Sequence, residues 1–336
     1  MRLGVLDVGS NTVHLLVVDA HRGGHPTPMN SEKTALRLAE SLDSSGRLSR
    51  AGADALVRTV AAARVSAAAA GCADLLAFAT SALRDAPNSA QVLARVHAET
   101  GVTLEVLPGE DEARYTFLAV RRWFGWSAGR LLVCDIGGGS LELASGMDEL
   151  PSVAVSVPLG AGRLTREWFS ADPPPRREIG ALRTHVDEVL APAAARLAEA
   201  GVADRAVATS KTFRSLARLT GAAPSSEGPR APRVLSETGL HQLIAFISRM
   251  SAADLAQLDG VSGSRAHQLV AGAVVAEATM QALDVHQLEI GPWALREGVI
   301  LRRLDWLDGA ARNGHTPRSL PTATGLGADQ EARYTG

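Results

Sequence analysis

Asp7-Val8-Gly9-Ser10-Asn11-Thr12 decides the fold, because the same pattern returns later in the chain as Asp135-Ile136-Gly137-Gly138-Gly139-Ser140. Each copy follows one hydrophobic strand and leads into another, which gives a strand, turn, strand unit twice. Glycine lets backbone N–H groups of such a turn approach an anion closely, and the neighbouring aspartate can hold a hydrated divalent cation. The doubled unit therefore predicts phosphoryl chemistry in a cleft between two halves of the chain.

Composition limits the class of protein. The chain has 336 residues, which fits two domains, and a formal net charge of −2, so a polyanion site must come from local clusters of charge. We therefore expect no binding of nucleic acid or membranes. Cys72 and Cys134 lie in apolar segments without metal-ligand spacing, and we interpret them as reduced and structural. With no signal-type start and no long uncharged apolar run, the sequence predicts a soluble, cytoplasmic protein.

Strands and helices alternate along both halves, which predicts an α/β fold. In the first half we expect a third strand near 33–38 and a strand at 75–79. We also expect a strand at 103–107 and a helix from about Glu110 to Phe124. Ser49 and Asn88 are in position to cap two further helices. The second half begins again near Arg130 and repeats the plan with strands at 153–157, 202–208 and 285–290.

These patterns predict an N-terminal domain over 1–125 and a C-terminal domain over 126–308. Residues 309–336 lack periodicity and are rich in Ala, Gly, Thr and Pro, so we expect a disordered tail there.

Six segments, taken in their order, resemble the exopolyphosphatase/guanosine pentaphosphate phosphohydrolase (Ppx/GppA) family over roughly residues 1–308. They are the two loops quoted above, Thr80–Asn88, Gly109–Arg114, Ala208–Thr212 and Pro292–Gly298. The resemblance implies two ribonuclease-H-like domains of the sugar kinase/actin/heat-shock ATPase superfamily around a central cleft. It also implies that a last helix at about 292–308 packs back on the first domain, and that the protein is a homodimer. The chain is similar to the short form of the family, which lacks an additional C-terminal helical domain.

Glu112 is the strongest chemical candidate. It falls in the first turn of a helix, where the helix dipole favours an ionised carboxylate. By resemblance the second acidic residue of the family's Gly-x-Glu-Glu-Ala motif is the catalytic glutamate, and this position is Glu112, although Asp111 replaces the first acidic residue. The alternative is that acidic residues simply enrich a helix N-terminus.

Arg84 follows a strand end and suits a phosphate clamp, because a guanidinium can hold two phosphate oxygens at once. The family places a substrate-binding arginine at this point of the motif. The alternative is a surface arginine paired with Asp85.

Asp135 and Glu142 flank the second glycine loop, and Asp7 faces the same space from the first. Carboxylate oxygens suit Mg²⁺, which takes one or two protein ligands and keeps several waters. For Glu142 the alternative is a glutamate on an exposed strand face. We expect phosphate oxygens to be bound by loop residues Gly9, Ser10, Asn11, Gly137, Gly138, Gly139 and Ser140.

Lys211 is one of only two lysines in the chain, and Arg214 and Arg218 follow on the same helical face. In nucleotide-binding relatives the equivalent loop lies against the adenosine, and the family usually has glycine at this position. A long cationic side chain there favours an extended phosphate chain over a nucleoside. The alternative is a solvated basic face.

The sequence thus predicts an Mg²⁺-dependent exopolyphosphatase that releases orthophosphate from the end of inorganic polyphosphate. One alternative is hydrolysis of guanosine pentaphosphate to tetraphosphate, a reaction of the stringent response. A more distant one is a kinase or an actin-like nucleotide-binding scaffold on the same fold.

Overall fold

Residues 1–21 and 28–313 are described by a computed structural model, which contains two mixed β-sheets. The five strands of the first sheet are β1 (Arg2–Val8), β2 (Thr12–Asp19), β3 (Pro28–Ala35), β4 (Asp74–Ala79) and β5 (Glu105–Val106). Their order is β3-β2-β1-β4-β5, with β1 antiparallel to β2 and parallel to β4. The central strands are buried on both faces, which explains their nearly unbroken aliphatic sequences.

The second sheet repeats this arrangement and adds one strand. It contains β6 (Leu131–Ile136), β7 (Leu141–Gly146), β8 (Val153–Val157), β9 (Arg205–Ala208), β10 (Val234–Ser236) and β11 (Gln287–Ile290). The order β10-β11-β9-β6-β7-β8 has the same antiparallel hairpins and parallel crossovers as the first sheet, apart from β10 at the edge. The predicted pair of ribonuclease-H-like units is confirmed by this repeated topology.

Eleven α-helices in the described residues cover the two sheets. They are α1 (Arg50–Ala69), α2 (Ser81–Arg84), α3 (Ser89–Thr100), α4 (Gly109–Phe124), α5 (Ala161–Trp168), α6 (Arg176–Glu199), α7 (Ser210–Leu219), α8 (Glu237–Ile247), α9 (Ala252–Leu255), α10 (Leu269–Ala282) and α11 (Leu295–Asn313). None of these helices is both long enough and apolar enough to cross a membrane.

Helix α4 connects the site to both sheets. Its Phe117 and Val120 are buried against Leu131 and Val133 of the second sheet, while Tyr115 packs with the first sheet and with Val299 of α11. Each fully buried side chain of this kind stabilises the fold by about 1.5–3 kcal/mol. The helix that begins with the acidic turn is therefore fixed from two sides, and α11 covers the first sheet.

Some local predictions need correction. The third strand is Pro28–Ala35 and not 33–38, and the last helix is Leu295–Asn313, so residues 309–313 are helical. The rest of the predicted disordered tail lies outside the described residues. The strands predicted at 103–107, 202–208 and 285–290 are shorter, at 105–106, 205–208 and 287–290.

Of the two predicted caps, one is confirmed and one is wrong. Ser49 accepts a hydrogen bond from the Gly52 N–H at 3.1 Å and caps α1. The Asn88 side chain does not cap α3, because it pairs instead with the backbone N–H and carbonyl of Leu48, both at 2.9 Å. This long-range contact satisfies two backbone groups of a loop, which local sequence does not reveal.

Candidate active site

The two glycine loops meet in one cleft between the sheets, with a volume of about 500 Å³. Nearly all of the predicted site residues line this cleft: Asp7, Gly9, Ser10, Asn11, Glu112, Asp135, Gly137, Gly138, Ser140, Glu142 and Lys211. The two exceptions are Gly139, where an added Cβ would collide with Ser81 of the lining, and Arg84, which contacts Glu112. The structure therefore brings residues from distant parts of the chain into one place.

The loops have the same conformation and touch each other. The Gly9 N–H donates to the Thr12 carbonyl at 3.0 Å, and the Gly137 N–H donates to the Ser140 carbonyl at 2.9 Å. A Cβ atom on Gly138 would lie 2.8 Å from the Ser10 Cβ, so only glycine allows this close approach. The two loops thus form opposite walls of one narrow space that suits an anion.

Two loop side chains are paired with other side chains, and one of these pairs joins the two halves. The Asn11 and Gln268 amides exchange hydrogen bonds at 3.1 and 2.9 Å, and both side chains are buried. The Ser10 hydroxyl lies 2.9 Å from that of Ser81. Because these polar groups are already paired, Ser10 and Asn11 can offer an anion their backbone N–H groups more readily than their side chains.

Glu112 and Arg84 are in direct contact. Glu112 is buried in the first turn of α4, and the guanidinium of Arg84, the last residue of α2, donates to its carboxylate. Arg84 also donates to the Leu107 carbonyl at 3.2 Å, and its Nε lies 3.4 Å from Asp85. The predicted alternative, pairing with Asp85, is thus seen as well, but the contact with Glu112 directs Arg84 towards the site.

Burial changes the acid–base behaviour of the site. It raises the pKa of Glu112 well above the ordinary value; the nearby Glu142 raises it further, and Arg84 opposes both effects. Burial also raises the pKa of Glu142 to about 7, against hydrogen bonds from Ser140 and Ser156. At Glu112 the net result is a raised pKa, opposite to the effect expected from the helix dipole alone. A raised pKa makes a carboxylate a stronger proton acceptor, which is the property that a general base needs.

Asp7 and Asp135 end the central strands at the mouths of the two loops. Burial raises the pKa of both, while arginines oppose this effect. Arg296 Nη1 lies 3.3 Å from Asp7, and the Thr209 hydroxyl donates to Asp135. Each aspartate is thus oriented by a partner and keeps oxygen atoms towards the cleft.

Only one or two of the three predicted metal ligands can bind the same Mg²⁺ ion. Within residues 1–21 and 28–313, no three His, Cys, Asp or Glu side chains come close enough together to hold one metal ion. Asp7, Asp135 and Glu142 therefore do not form a three-ligand shell. Buried carboxylate oxygens nevertheless suit a hard cation bound by one or two of them and by water.

The cationic lining of the cleft is larger than the predicted set of site residues. Lys33, Arg265 and Arg296 face the cleft beside Lys211 and Arg214. From the sequence, Arg265 and Arg296 could add to a basic track, with ordinary arginines at helix ends as the alternative, whereas Lys33 was not predicted to belong to the site. The available signal was the scarcity of lysine, because the only two lysines of the chain both line this cleft.

Comparison with known proteins gives consistent results. The family model described as "Ppx/GppA phosphatase family" matches residues 17–306. Exopolyphosphatase 1 of Mycobacterium tuberculosis is 63% identical over 335 residues, which cover 99% of this chain and 97% of that protein. Exopolyphosphatase 1 of Mycobacterium leprae is 65% identical over 305 residues, with 91% and 90% covered.

A solved structure supports the fold. The crystal structure of an exopolyphosphatase from Cytophaga hutchinsonii matches with a TM-score of 0.82 at 24% identity, covering 91% of this chain and 98% of that one. At this identity the likeness concerns the fold alone.

Proposed function

The chain belongs to the Ppx/GppA phosphatase family, and we propose that it is an exopolyphosphatase, which hydrolyses the terminal phosphoanhydride bond of inorganic polyphosphate. The observation that carries the proposal is the buried Glu112 held against Arg84 at the point where the two glycine loops meet. In this proposal Glu112 is the base, Arg84 is a fixed cation, and the two loops are anion-binding turns around one small volume. The name of the mycobacterial relatives at 63–65% identity supports the choice of substrate.

The chain end binds between the loops. Backbone N–H groups of both loops contact the terminal phosphate, and Arg84 neutralises part of its charge. Phosphoryl transfer depends mainly on positioning and charge neutralisation, so a rigid cleft of this kind supplies most of the rate. Contacts across the cleft, such as Asn11 with Gln268, keep the two walls at a fixed distance.

Glu112 orients a water molecule and accepts its proton. The water oxygen forms a bond to the terminal phosphorus while the bridging P–O bond breaks, which releases orthophosphate and a chain shorter by one phosphate. Its raised pKa makes the Glu112 carboxylate a stronger acceptor for this proton. Mg²⁺, when bound by Asp135 with Asp7 or Glu142, would neutralise negative charge on the phosphate oxygens.

Hydrolysis of guanosine pentaphosphate stays a second candidate. A pocket of about 460 Å³ adjoins the cleft at Lys211 and Arg214 and has room for a nucleoside. Among the described residues, however, its lining contains Arg218 and Arg233 and no aromatic ring that could stack on a base. This composition favours phosphate over guanine.

An assay of orthophosphate release separates the candidates. The purified protein is incubated with Mg²⁺ and either polyphosphate, guanosine pentaphosphate, or ATP with sugars. We expect release from polyphosphate at a rate far above the other two. If orthophosphate came only from the nucleotide, or if only phosphorylated sugars formed, the proposal would be wrong.

We also propose a cytoplasmic location, which the free thiols of Cys72 and Cys134 fit. The homodimer implied by the family resemblance is likewise a proposal, and light scattering after size-exclusion chromatography tests it. A role in the stringent response depends on the nucleotide assay above.

A further inference from the structure

The chain's two lysines reach the cleft from opposite sides. Among 336 residues with 34 lysines and arginines in total, only Lys33 and Lys211 are lysines. Lys33 lies on β3, at the edge of the first sheet, and Lys211 lies at the start of α7, beside the second sheet. Both line the cleft that contains the glycine loops.

Sheet register fixes the position of Lys33 relative to the reaction centre. Asp7 is opposite His14 on the neighbouring strand, and His14 is opposite Lys33 on the next. Residues opposite each other share one face of a sheet, so Lys33 lies two strand spacings, about 10 Å, from Asp7 on the cleft face. Lys33 therefore lies along the same wall as Asp7, with its backbone two strands away from the first glycine loop.

A strained turn positions Lys211 on the other wall. The preceding residue, Ser210, has a φ of 66°, which is uncommon for any residue except glycine. Ser210 itself lines the cleft, and Lys211 Nζ lies 3.4 Å from the Gly260 carbonyl. Strained backbone of this kind is kept where the surrounding structure fixes it, often at a binding site.

Apart from Arg296, which pairs with Asp7, the cations on these walls form no ion pair among the described residues. Within the described part of the chain, Lys33 and Arg265 have no ion pair or side-chain hydrogen bond, and Lys211 reaches only the Gly260 carbonyl. Partial burial lowers the pKa of both lysines, and the nearby Arg214 and Arg265 lower it further. A group of like charges that lowers each member's pKa is stabilised when an anion binds.

We propose that Lys33 and Lys211 form a two-sided clamp for the phosphates that lie upstream of the bond being hydrolysed. The inference rests on the proposed function and adds a chain-length preference to it. A substrate must be long enough to reach from the glycine loops to both lysines before it gains the full binding energy. Lysine suits this task because its compact charge and rotating donors do not require one fixed phosphate geometry, so the chain can advance after each cleavage.

Kinetics with two chain lengths test the clamp. Lys33→Ala, Lys211→Ala and the double variant are compared on tripolyphosphate and on long-chain polyphosphate, with kcat and KM measured separately. We expect KM for long chains to rise about tenfold in each single variant, because a charged hydrogen bond is lost. We expect KM for tripolyphosphate to change by less than about threefold. The arginine replacements at both positions should restore most of the affinity for long chains.

Arg177→Ala is the matched control, because this cation is 85% exposed and lies outside the cleft. Its KM should be that of the wild type for both substrates. If Lys33 only protects the sheet edge from pairing with other strands, its alanine variant will also keep the wild-type KM. Equal changes in KM for both chain lengths, or no change in either, would overturn the clamp.

Amine labelling tests binding without turnover. An amine-selective acylating reagent has only Lys33, Lys211 and the N-terminus to modify, and mass spectrometry counts the groups added. We expect long-chain polyphosphate to slow acylation of both lysines at least about fivefold, at concentrations where orthophosphate has no effect and the N-terminus reacts as before. Unprotected lysines would overturn the clamp.

The two tests separate the clamp from the function. Protection of both lysines by polyphosphate in a protein that releases no orthophosphate would leave the clamp and refute the exopolyphosphatase proposal. Release of orthophosphate without protection of the lysines would refute the clamp and leave the exopolyphosphatase proposal.

Discussion

Replacing Gly160 with alanine should lower turnover by displacing the second glycine loop. Gly160 precedes α5, and a Cβ atom there would lie less than 3.0 Å from backbone atoms of Gly139 and Ser140 in the second glycine loop. The added carbon would sit more than about 1 Å inside ordinary van der Waals contact. Because the neighbouring atoms are backbone, no side chain can rotate away, and the loop itself must move.

The size of the effect follows from this displacement. A shift of about 1 Å in a group that positions substrate can lower turnover about a hundredfold. Overpacking of this kind also costs about 1–3 kcal/mol of stability. Gly160 has a φ of −75° and a ψ of 141°, which alanine adopts without strain, so a loss can be attributed to the clash.

The assay combines urea unfolding with orthophosphate release from polyphosphate. Gly180→Ala is the matched control, because Gly180 lies inside α6 with no atom within 4 Å of the added carbon. For Gly180→Ala we expect unchanged turnover and a free energy of unfolding higher by about 0.5–1 kcal/mol, because alanine favours a helix more than glycine does. If Gly160→Ala kept wild-type turnover, the second glycine loop would not hold the substrate in the way we infer.

Three other predictions follow from the same site. Without divalent cations, the free energy of unfolding should fall as pH rises from 4.5 to about 7, because the folded state keeps a proton on Glu142 that the unfolded chain loses. Urea unfolding at several pH values measures this change, and the free energy of unfolding of Glu142→Gln should depend less on pH. Arg163 donates to the Gly139 carbonyl at 2.9 Å and also pairs with Asp85. Arg163→Ala should therefore lower kcat about ten- to hundredfold, and Arg163→Lys should recover only part of this loss. An unchanged kcat in both variants would show that Arg163 does not support the site. A chelator should abolish orthophosphate release, and added Mg²⁺ should restore it. In a Mg²⁺ titration of activity, Asp135→Asn should need at least about tenfold more Mg²⁺ than the wild type. An unchanged Mg²⁺ requirement would exclude Asp135 as a ligand.

Local sequence was sufficient to predict the parts of the fold that depend on local chemistry. The glycine turns, the helix that starts after Pro108 and the buried aliphatic strands each have a local cause, and all are found. The repetition of one strand pattern was also enough to predict two similar sheets. By contrast, the edge strand β3 has no buried face, so its bounds carry little hydrophobic signal and were predicted too late in the chain.

Contacts between distant residues could not be predicted in this way. Asn11 and Gln268 are separated by 257 positions, and nothing in either neighbourhood indicates that their amides pair across the cleft. Lys33 was missed for a similar reason, because an exposed lysine on an edge strand is ordinary, and only the tertiary structure shows that it lines the same cleft as Lys211. The sequence indicated which residues could bind phosphate, while the tertiary structure shows which of them share a cleft.

The proposed mechanism depends above all on Glu112, which activates water for attack on the end of polyphosphate. It is tested most directly by the rate of orthophosphate release from polyphosphate in the wild type and in Glu112→Gln, with KM measured in both. The glutamine keeps the size of the side chain but cannot accept the proton, so turnover should fall about 10²- to 10⁴-fold while KM changes little. Release of orthophosphate by Glu112→Gln at the wild-type rate would show that Glu112 is not the base.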